Sequence, residues 1–306
     1  MPTLALWLCC WALTVPARAD DSPKYAERGV TAYRAGNFEL ARVFFHKALQ
    51  DAVLKGREEW VAKAIFNLVD LELETMEAGD AASLLEELSP SDRGLRSLVL
   101  WKRSQLAFLR RRDQAALALV DSALALAAGN RAQETPMRLD RWRYRIHSQD
   151  PPAWEAEYAQ FRKRLSKSER ERAAGLDAAA WMRRGNFLKA DSLWKAAAAH
   201  YRSEEKLAKV AACMNQQAIC MFSAGRRAEA LEINARAVGV YGELGLVVPG
   251  LRAQALRLLL VEDGNELAKL RRDMDLVGQR FDGFDLQGIL DEYAQSLNPG
   301  RPGPQP

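Results

Sequence analysis

The sequence has almost none of the residue patterns that mark catalytic or metal sites. Its 306 residues include three histidines and four cysteines, with no HExxH or CxxC motif. It also has no GxSxG elbow and no phosphate-binding loop. His46, His147 and His200 are far apart and each falls within a helical pattern. We therefore expect a protein that is not an enzyme and that holds no metal or other cofactor.

Neither sign of charge dominates the chain. It carries 44 Lys and Arg against 40 Asp and Glu, a net charge of +4 that falls to +3 if Arg18 is removed with the first 19 residues. A chain of this size so close to neutrality gives no reason to expect nucleic-acid binding.

Long apolar runs are also scarce, and the one at Leu4 to Val15 is too short to span a bilayer as a helix. The small-x-small tripeptide at 17–19 follows it, which predicts a signal peptide cleaved after Ala19 and a periplasmic or secreted protein. No Lys or Arg precedes the run, so an uncleaved anchor or a misassigned start codon stays open. For the cleaved protein we expect membrane contact that is at most peripheral, since neither Cys9 nor Cys10 follows a lipoprotein pattern.

Cleavage would leave only two cysteines, Cys213 and Cys220. They lie seven residues apart on one predicted helix, about 10 Å along its axis, which is too far for a disulfide. We expect both to be small buried packing residues. Ala, Leu, Arg and Glu are plentiful, while Gly, Pro and β-branched residues are sparse within the predicted elements, so the composition predicts an all-α fold.

A ladder of small and aromatic residues recurs along the chain at fixed offsets. The first copy contains Gly29, Ala32, Gly36, Phe38, Ala41, Phe45 and Ala48, and the second contains Ala178, Trp181, Gly185, Phe187, Ala190, Trp194 and Ala197. Shorter copies contain Ala218, Met221, Gly225, Ala230 and Ala237, and Ser104, Ala107, Ala116 and Ala123.

These offsets fit two amphipathic helices joined by a tight turn. Gly36 and Gly185 would supply the backbone freedom that closes the turn. Alanines such as Ala190 would lie where two helices cross closely. Phe45 and Trp194 would fill the space between one hairpin and the next.

In these segments the chain resembles the tetratricopeptide repeat family, from about residue 23 to residue 281. The resemblance implies a right-handed α-solenoid of about seven hairpins that binds another protein in its concave groove. Family members that capture chaperone C-termini use a Lys and Asn clamp on the first helix. Ala26 and Val30 stand at those places, so that clamp is missing.

Turn residues and periodicity divide the chain into seven units. The expected units are 23–55, 59–88, 95–128, 137–165, 169–203, 206–244 and 249–281, the last opened by Pro249. A final helix at 285–297 is expected to cover the apolar face of the last hairpin. The domains are thus a signal peptide at 1–19, a solenoid at 20–297, and a Pro- and Gly-rich tail at 298–306 that is expected to be disordered.

An apolar residue lies four places after the first residue of each ladder copy. We call these four residues the stripe: Tyr33, Phe108, Met182 and Phe222. The family resemblance, not the periodicity, assigns this place to the concave groove. Such a row could grip an extended peptide or a partner helix. The alternative is that these side chains fill gaps between first helices.

Charge is segregated along the chain. Residues 56–94 carry three basic and ten acidic side chains, whereas residues 95–172 carry 17 basic and nine acidic ones. The blocks could attract each other, or the basic one could bind an acidic partner or an anionic membrane. The candidate basic surface is Arg110, Arg111, Arg112, Arg141, Arg143, Arg145, Arg162, Lys163 and Arg164.

The sequence thus predicts a non-catalytic scaffold or assembly adaptor of the cell envelope that binds a partner peptide or helix. The alternative is a structural subunit that self-associates, as a homo-oligomer, through the exposed end of its solenoid. A third possibility, an enzyme, would require a buried polar cluster that the sequence does not reveal.

Overall fold

A computed structural model describes residues 21–76, 80–261, 264–278 and 285–297. Over these ranges the chain forms sixteen α-helices and no β-strand. The helices are α1 Ser22–Arg34, α2 Phe38–Leu54, α3 Glu58–Thr75, α4 Ala81–Glu87, α5 Arg93–Leu109, α6 Asp113–Ala127, α7 Arg131–Ser148, α8 Pro151–Arg164, α9 Lys167–Arg172, α10 Ala174–Arg183, α11 Phe187–Ser203, α12 Leu207–Ser223, α13 Arg227–Glu243, α14 Val247–Leu260, α15 Gly264–Gly278 and α16 Leu286–Leu297.

Helices that follow each other in sequence make most of the contacts. The pairs α1–α2, α5–α6, α10–α11 and α12–α13 each pack along their length, and α2, α11 and α13 also pack on the next helix along the chain. The predicted all-α fold is confirmed, and the segments that carry the ladder form neighbouring helix pairs.

The turns between paired helices have the conformation that the ladder predicts. Gly36 and Gly185 have φ angles of +75° and +74°, in the left-handed region that side chains disfavour. The next residue, Asn37 or Asn186, accepts a hydrogen bond from the backbone N–H three residues on, which caps α2 or α11. Ala190, one of the alanines expected at close helix crossings, is fully buried.

Phe45 and Trp194 of the ladder each pack against a glycine of their own hairpin. A β-carbon at Gly29 would lie 2.4 Å from the ring of Phe45, and one at Gly175 would lie 3.1 Å from the ring of Trp194. The glycines let these large rings approach the first helix. Trp194 also packs against buried residues of α12, as expected of a residue between hairpins.

Three helix boundaries differ from those expected. Helix α7 begins at Arg131, not near Met137, because Asn130 caps it and Pro136 is accommodated within its second turn. A separate short helix, α9, precedes α10. Helix α14 begins at Val247, so Pro249 lies in its first turn, where a missing N–H costs little.

The first hairpin touches the end of the second-last one. A β-carbon on Gly36 would lie 3.3 Å from Cδ2 of Leu244, which caps the C-terminus of α13. Phe38 packs against the buried cluster of Tyr241 and Leu246, and α3 contacts α14. The row of helices therefore curves until its beginning meets the turn between α13 and α14.

The last helix, α16, packs on α14 and α12 and touches α15 less extensively. It does cover part of the last hairpin, as expected, but it also reaches back to the preceding one. The expected signal peptide at 1–19 and tail at 298–306 lie outside the described residues. None of the described helices is long and apolar enough to cross a membrane.

Candidate functional site

The four stripe residues occupy equivalent places in four helix pairs. Each is the second-last residue of its helix: α1, α5, α10 or α12. Each backbone carbonyl accepts a hydrogen bond of 2.9–3.0 Å from the N–H three residues later. That later residue has a positive φ angle in all four cases, as Gly36, Arg111, Gly185 or Gly225. The same backbone geometry therefore recurs at all four stripe residues.

Tyr33 is half buried at the end of α1. Its ring meets that of Phe38 edge to face, with 5.6 Å between centroids. Burial raises the pKa of its phenol, and the negative charges of Glu74 and Asp70 raise it further. Tyr33 therefore remains neutral and faces the acidic end of α3.

Phe108 is half buried at the end of α5. Its ring stacks on that of Tyr144, with centroids 4.6 Å apart, and meets the imidazole of His147 edge to face at 5.2 Å. Both partners belong to α7, so Phe108 connects the first helices of two successive hairpins.

Met182 and Phe222 also pack on their neighbours while staying half exposed. The sulfur of Met182 accepts a hydrogen bond of 3.2 Å from Nε1 of Trp194. The guanidinium of Arg227 lies 5.7 Å from the ring centroid of Phe222. All four stripe residues therefore contribute to packing and keep part of their surface in solvent, which leaves their role in binding a prediction.

Several arginines of the candidate basic surface are held in ion pairs. Arg141 Nε lies 2.5 Å from Asp121, Arg143 Nη1 lies 2.9 Å from Asp140, and Arg145 Nη1 lies 2.6 Å from Glu157. Arg162 pairs with Asp177. These carboxylates neutralise much of the positive charge that the sequence places in this segment, and Arg141 and Arg145 line a shallow polar depression.

The rest of the candidate basic surface lies at helix ends. Lys163 and Arg164 are exposed in the last turn of α8, where positive charge favours the helix dipole. Arg110 and Arg112 are exposed in the turn between α5 and α6. The nine residues thus lie on α7, on α8 and in the turn between α5 and α6, and their role as a binding surface stays a prediction.

Part of the basic block does pair with the acidic block. Lys102 of α5 is almost wholly buried and forms an ion pair with Asp70 of α3. Attraction between the two blocks therefore accounts for some of the charge segregation.

Arg111 stands apart from the other arginines because it occupies the left-handed turn position, with a φ angle of +60°. One guanidinium nitrogen lies 2.9 Å from Nε2 of His147, and Nδ1 of that ring lies 3.2 Å from Asp113. Burial lowers the pKa of Arg111, and the nearby charge of Arg252 lowers it further. A non-glycine residue at such a φ angle costs about 1–2 kcal/mol, so this position is a candidate for function.

Side chains from distant helices lie close enough to act on one another electrostatically, and we call this set the inner face: Glu74, Arg111, Arg143, Tyr201, Tyr241, Arg252 and Tyr293. Burial raises the pKa of Tyr201, and the charges of Arg143 and Glu74 also act on it. Burial likewise raises the pKa of Tyr241, on which Tyr293, Glu74 and Arg252 act. The inner face therefore combines neutral phenols with both signs of charge.

The histidines and cysteines within the described ranges do not gather into a metal site. Among the described residues, no three His, Cys, Asp or Glu side chains are placed to hold a metal ion. Cys213 and Cys220 are free, buried thiols, as predicted. Burial raises the pKa of each to about 12, so neither is a reactive thiolate at neutral pH.

No protein-family model matches the chain, and no curated protein is similar to it. The resemblance to tetratricopeptide repeats therefore depends on the residues of the ladder alone.

Proposed function

We propose that this protein is a non-catalytic scaffold or assembly adaptor of the cell envelope. It would be a right-handed solenoid of about seven hairpins similar to tetratricopeptide repeats. The inner face, together with the stripe, would bind a peptide or helix of a partner protein.

The observation that carries the proposal is the equivalent placement of Tyr33, Phe108, Met182 and Phe222. Four helix pairs each present one half-exposed apolar side chain from the same helix position. Aromatic and Met side chains that are rigidly held and partly desolvated are typical centres of protein-binding surfaces. Mixed charge on the inner face would add selectivity for the partner.

Capture experiments test this proposal. The full chain, tagged and bound to resin, should retain the same protein from an envelope extract in repeated experiments, as read by mass spectrometry. Phe222→Ala should reduce this retention. Leu54→Ala is the control, because Leu54 lies on α2 with 65% of its surface exposed. Equal retention by wild type, Phe222→Ala and Leu54→Ala would reject the stripe as the binding surface.

Self-association through an exposed end is the alternative function. The contact between Gly36 and Leu244 weighs against self-association through the N-terminal end of the helical row, because it covers part of the first hairpin. Mass measurement across a dilution series distinguishes the two functions. A concentration-dependent oligomer without a partner would favour the structural subunit.

Export is part of the proposal. The apolar run followed by small residues at 17 and 19 supports a mature N-terminus at Asp20. Terminal sequencing of the soluble protein should begin at Asp20, and an intact Met1 or Pro2 would refute export by cleavage.

A further inference from the structure

Helix α16 contributes Tyr293 to the inner face. It packs on α14 and α12 more than on α15, the helix that precedes it in the sequence. Tyr293 of α16 lies close enough to Arg111 and Arg252 for their charges to act on its phenol. The helix therefore extends across the surface of the second-last and last hairpins towards the turn between α5 and α6.

The contact has the features of a helix bound in a groove. Leu286, Ile289, Leu290 and Tyr293 follow the spacing of one helix face. Ile289 and Tyr293 are buried, and Leu286 and Leu290 are partly buried, against the cluster that includes Leu251 and Leu258 of α14. Short helices that dock in grooves use this same spacing of anchor residues.

A chain of buried hydrogen bonds ends at Tyr293 of α16. Asn234 donates to Asn215 at 3.1 Å and to the carbonyl of Ala253 at 2.9 Å. The amide of Asn215 in turn donates to the Tyr293 hydroxyl at 3.0 Å. Without α16 this amide would face the groove and lose its acceptor. Any replacement for α16 must therefore offer an oxygen acceptor at the place of Tyr293.

Helix α16 is shorter than the helices α12 and α14 on which it packs. It has only 12 residues, a length at which an isolated helix is marginal. Gly288 lies in its first turn, where glycine lowers helix propensity. Gln287, Gly288 and Asp291 are exposed. Helices with few buried contacts open locally at a lower free energy than the core.

The segment that forms α16 is acidic, and two arginines lie near its Tyr293. Residues 285–297 contain two Asp and one Glu and no Lys or Arg, a net charge of −3. Arg111 and Arg252 are the charged groups that act on Tyr293. A segment that replaces α16 would gain from the same acidic character.

We propose that α16 is a displaceable internal ligand, and that the groove on α12 and α14 binds an acidic amphipathic helix of the partner in its place. This inference rests on the proposed function, since it identifies the chemistry of the partner's binding segment. Bound α16 would lower the apparent affinity for the partner by the fraction of molecules in which the groove is open. The partner helix would carry apolar residues at the α16 spacing and an oxygen acceptor opposite Asn215.

Hydrogen exchange on the full wild-type chain tests whether α16 can leave. We expect amides of α16 to exchange at least tenfold faster than those of α12 and α14, because local opening would release α16 alone. Equal exchange rates in all three helices would mean that α16 is part of the cooperative core, and would overturn the proposal.

Peptide titration tests the groove directly. The probe is a fluorescent peptide of residues 285–297, added to the full chain with Ile289→Ala and Tyr293→Ala in α16. We expect at least tenfold tighter binding to this variant than to wild type, where α16 competes. Gln287→Ala, which changes an exposed residue of α16, should behave as wild type. A probe with Tyr293→Phe should bind about tenfold more weakly, because the Asn215 amide loses its acceptor.

The outcomes distinguish failure of the displaceable-helix proposal from failure of the proposed scaffold function. Equal weak binding of the probe by all variants would overturn the displaceable helix, whether or not a partner is captured. A dimer that requires intact Ile289 and Tyr293 would instead assign the groove to a second copy, and would also overturn the proposal. If the double variant does not fold, as judged by circular dichroism, the hydrogen-exchange result on wild type decides. Tight probe binding without capture of any partner would retain the groove and reject the scaffold.

Discussion

Gly29 has no side chain at the place where the ring of Phe45 crosses helix α1. A β-carbon there would lie 2.4 Å from Cε1 of that ring, and Phe45 is buried with 2% of its surface exposed. The ring cannot move outward without losing its packing. We therefore expect Gly29→Ala to lower the free energy of unfolding by about 1–3 kcal/mol, as overpacking usually does.

Gly239 provides the matched control for Gly29. It is exposed within α13, and a β-carbon there would meet no atom within 4 Å. Gly239→Ala should raise the free energy of unfolding by about 0.5–1 kcal/mol, because alanine loses less conformational entropy in a helix. Urea unfolding of both variants measures the two signs. Stabilisation by Gly29→Ala would mean that α1 and α2 are not packed as described.

The two buried thiols give a second test at this scale. Because burial raises the pKa of Cys213 and Cys220 to about 12, we expect neither to react with a thiol reagent at pH 8 in the folded chain that begins at Asp20. Both should react at once in guanidinium. Ser83→Cys, at an exposed position of α4, is the positive control. Fast reaction of two native thiols would contradict the burial of α12.

The sequence predicts the conformation of the turn glycines better than it predicts which side chains pack against the helical glycines. The left-handed glycines Gly36 and Gly185 follow from the turn pattern, because few other residues accept that conformation. The contacts of Gly29 with Phe45 and of Gly175 with Trp194 depend on the angle between two helices. That angle is not a property of either residue alone, so neither contact could be predicted from the sequence.

Among the helices, α9 is joined to α7 through one carboxylate. Glu169 accepts the Ser166 N–H at 2.7 Å and so completes a capping box. It also accepts the Thr135 hydroxyl at 3.1 Å and lies near Arg131. Hydrogen bonds from Ser166, followed by those from Thr135 and the charge of Arg131, lower the pKa of Glu169 to about 2.

This lowered pKa predicts how stability depends on pH. The carboxylate is favoured in the folded state, so its contribution is complete above the unfolded value of 4.5 and is lost as the pH falls towards 2. The melting temperature of wild type should therefore fall more steeply between pH 4.5 and pH 2 than that of Glu169→Gln. Parallel curves for the two proteins over this interval would show that Glu169 does not join α9 to α7.

Helix boundaries follow from sequence where caps and turns are strong. The expected first hairpin at 23–55 corresponds to α1 and α2, with a glycine at each turn. Helix α7 begins at Arg131, before Pro136, and not near Met137 as expected. The Asn130 cap and the packing of α7 on α6 outweigh the hydrogen bond that this proline removes.

On the scale of the whole molecule, the row of helices curves until the first hairpin contacts the second-last one. Leu244 packs beside Gly36 and near Phe38. We expect Leu244→Asp to open this contact, because it places a charge in an apolar cluster, and to increase the radius of gyration measured by X-ray scattering. Leu276→Asp is the control, since 65% of Leu276 is exposed. An unchanged radius of gyration for Leu244→Asp would show that this contact does not hold the first hairpin against α13.

Neither this closure nor the position of α16 could be predicted from the sequence. The ladder records contacts between neighbours, whereas Gly36 and Leu244 are separated by more than half of the chain. The amphipathic pattern of α16 predicts a helix with one buried face, but it does not say which helices cover that face. Such contacts depend on the sum of small angles between successive helices.

The central claim is that the stripe binds the partner, and the partner's dissociation constant for Phe222→Ala tests it most directly. Removal of a side chain at the centre of an interface typically costs about 2 kcal/mol or more, so we expect binding to weaken by more than tenfold. The melting temperature should fall only modestly, because Phe222 is half exposed. Unchanged affinity together with a stability loss of about 3–5 kcal/mol, the usual cost of truncating a core Phe, would contradict the claim.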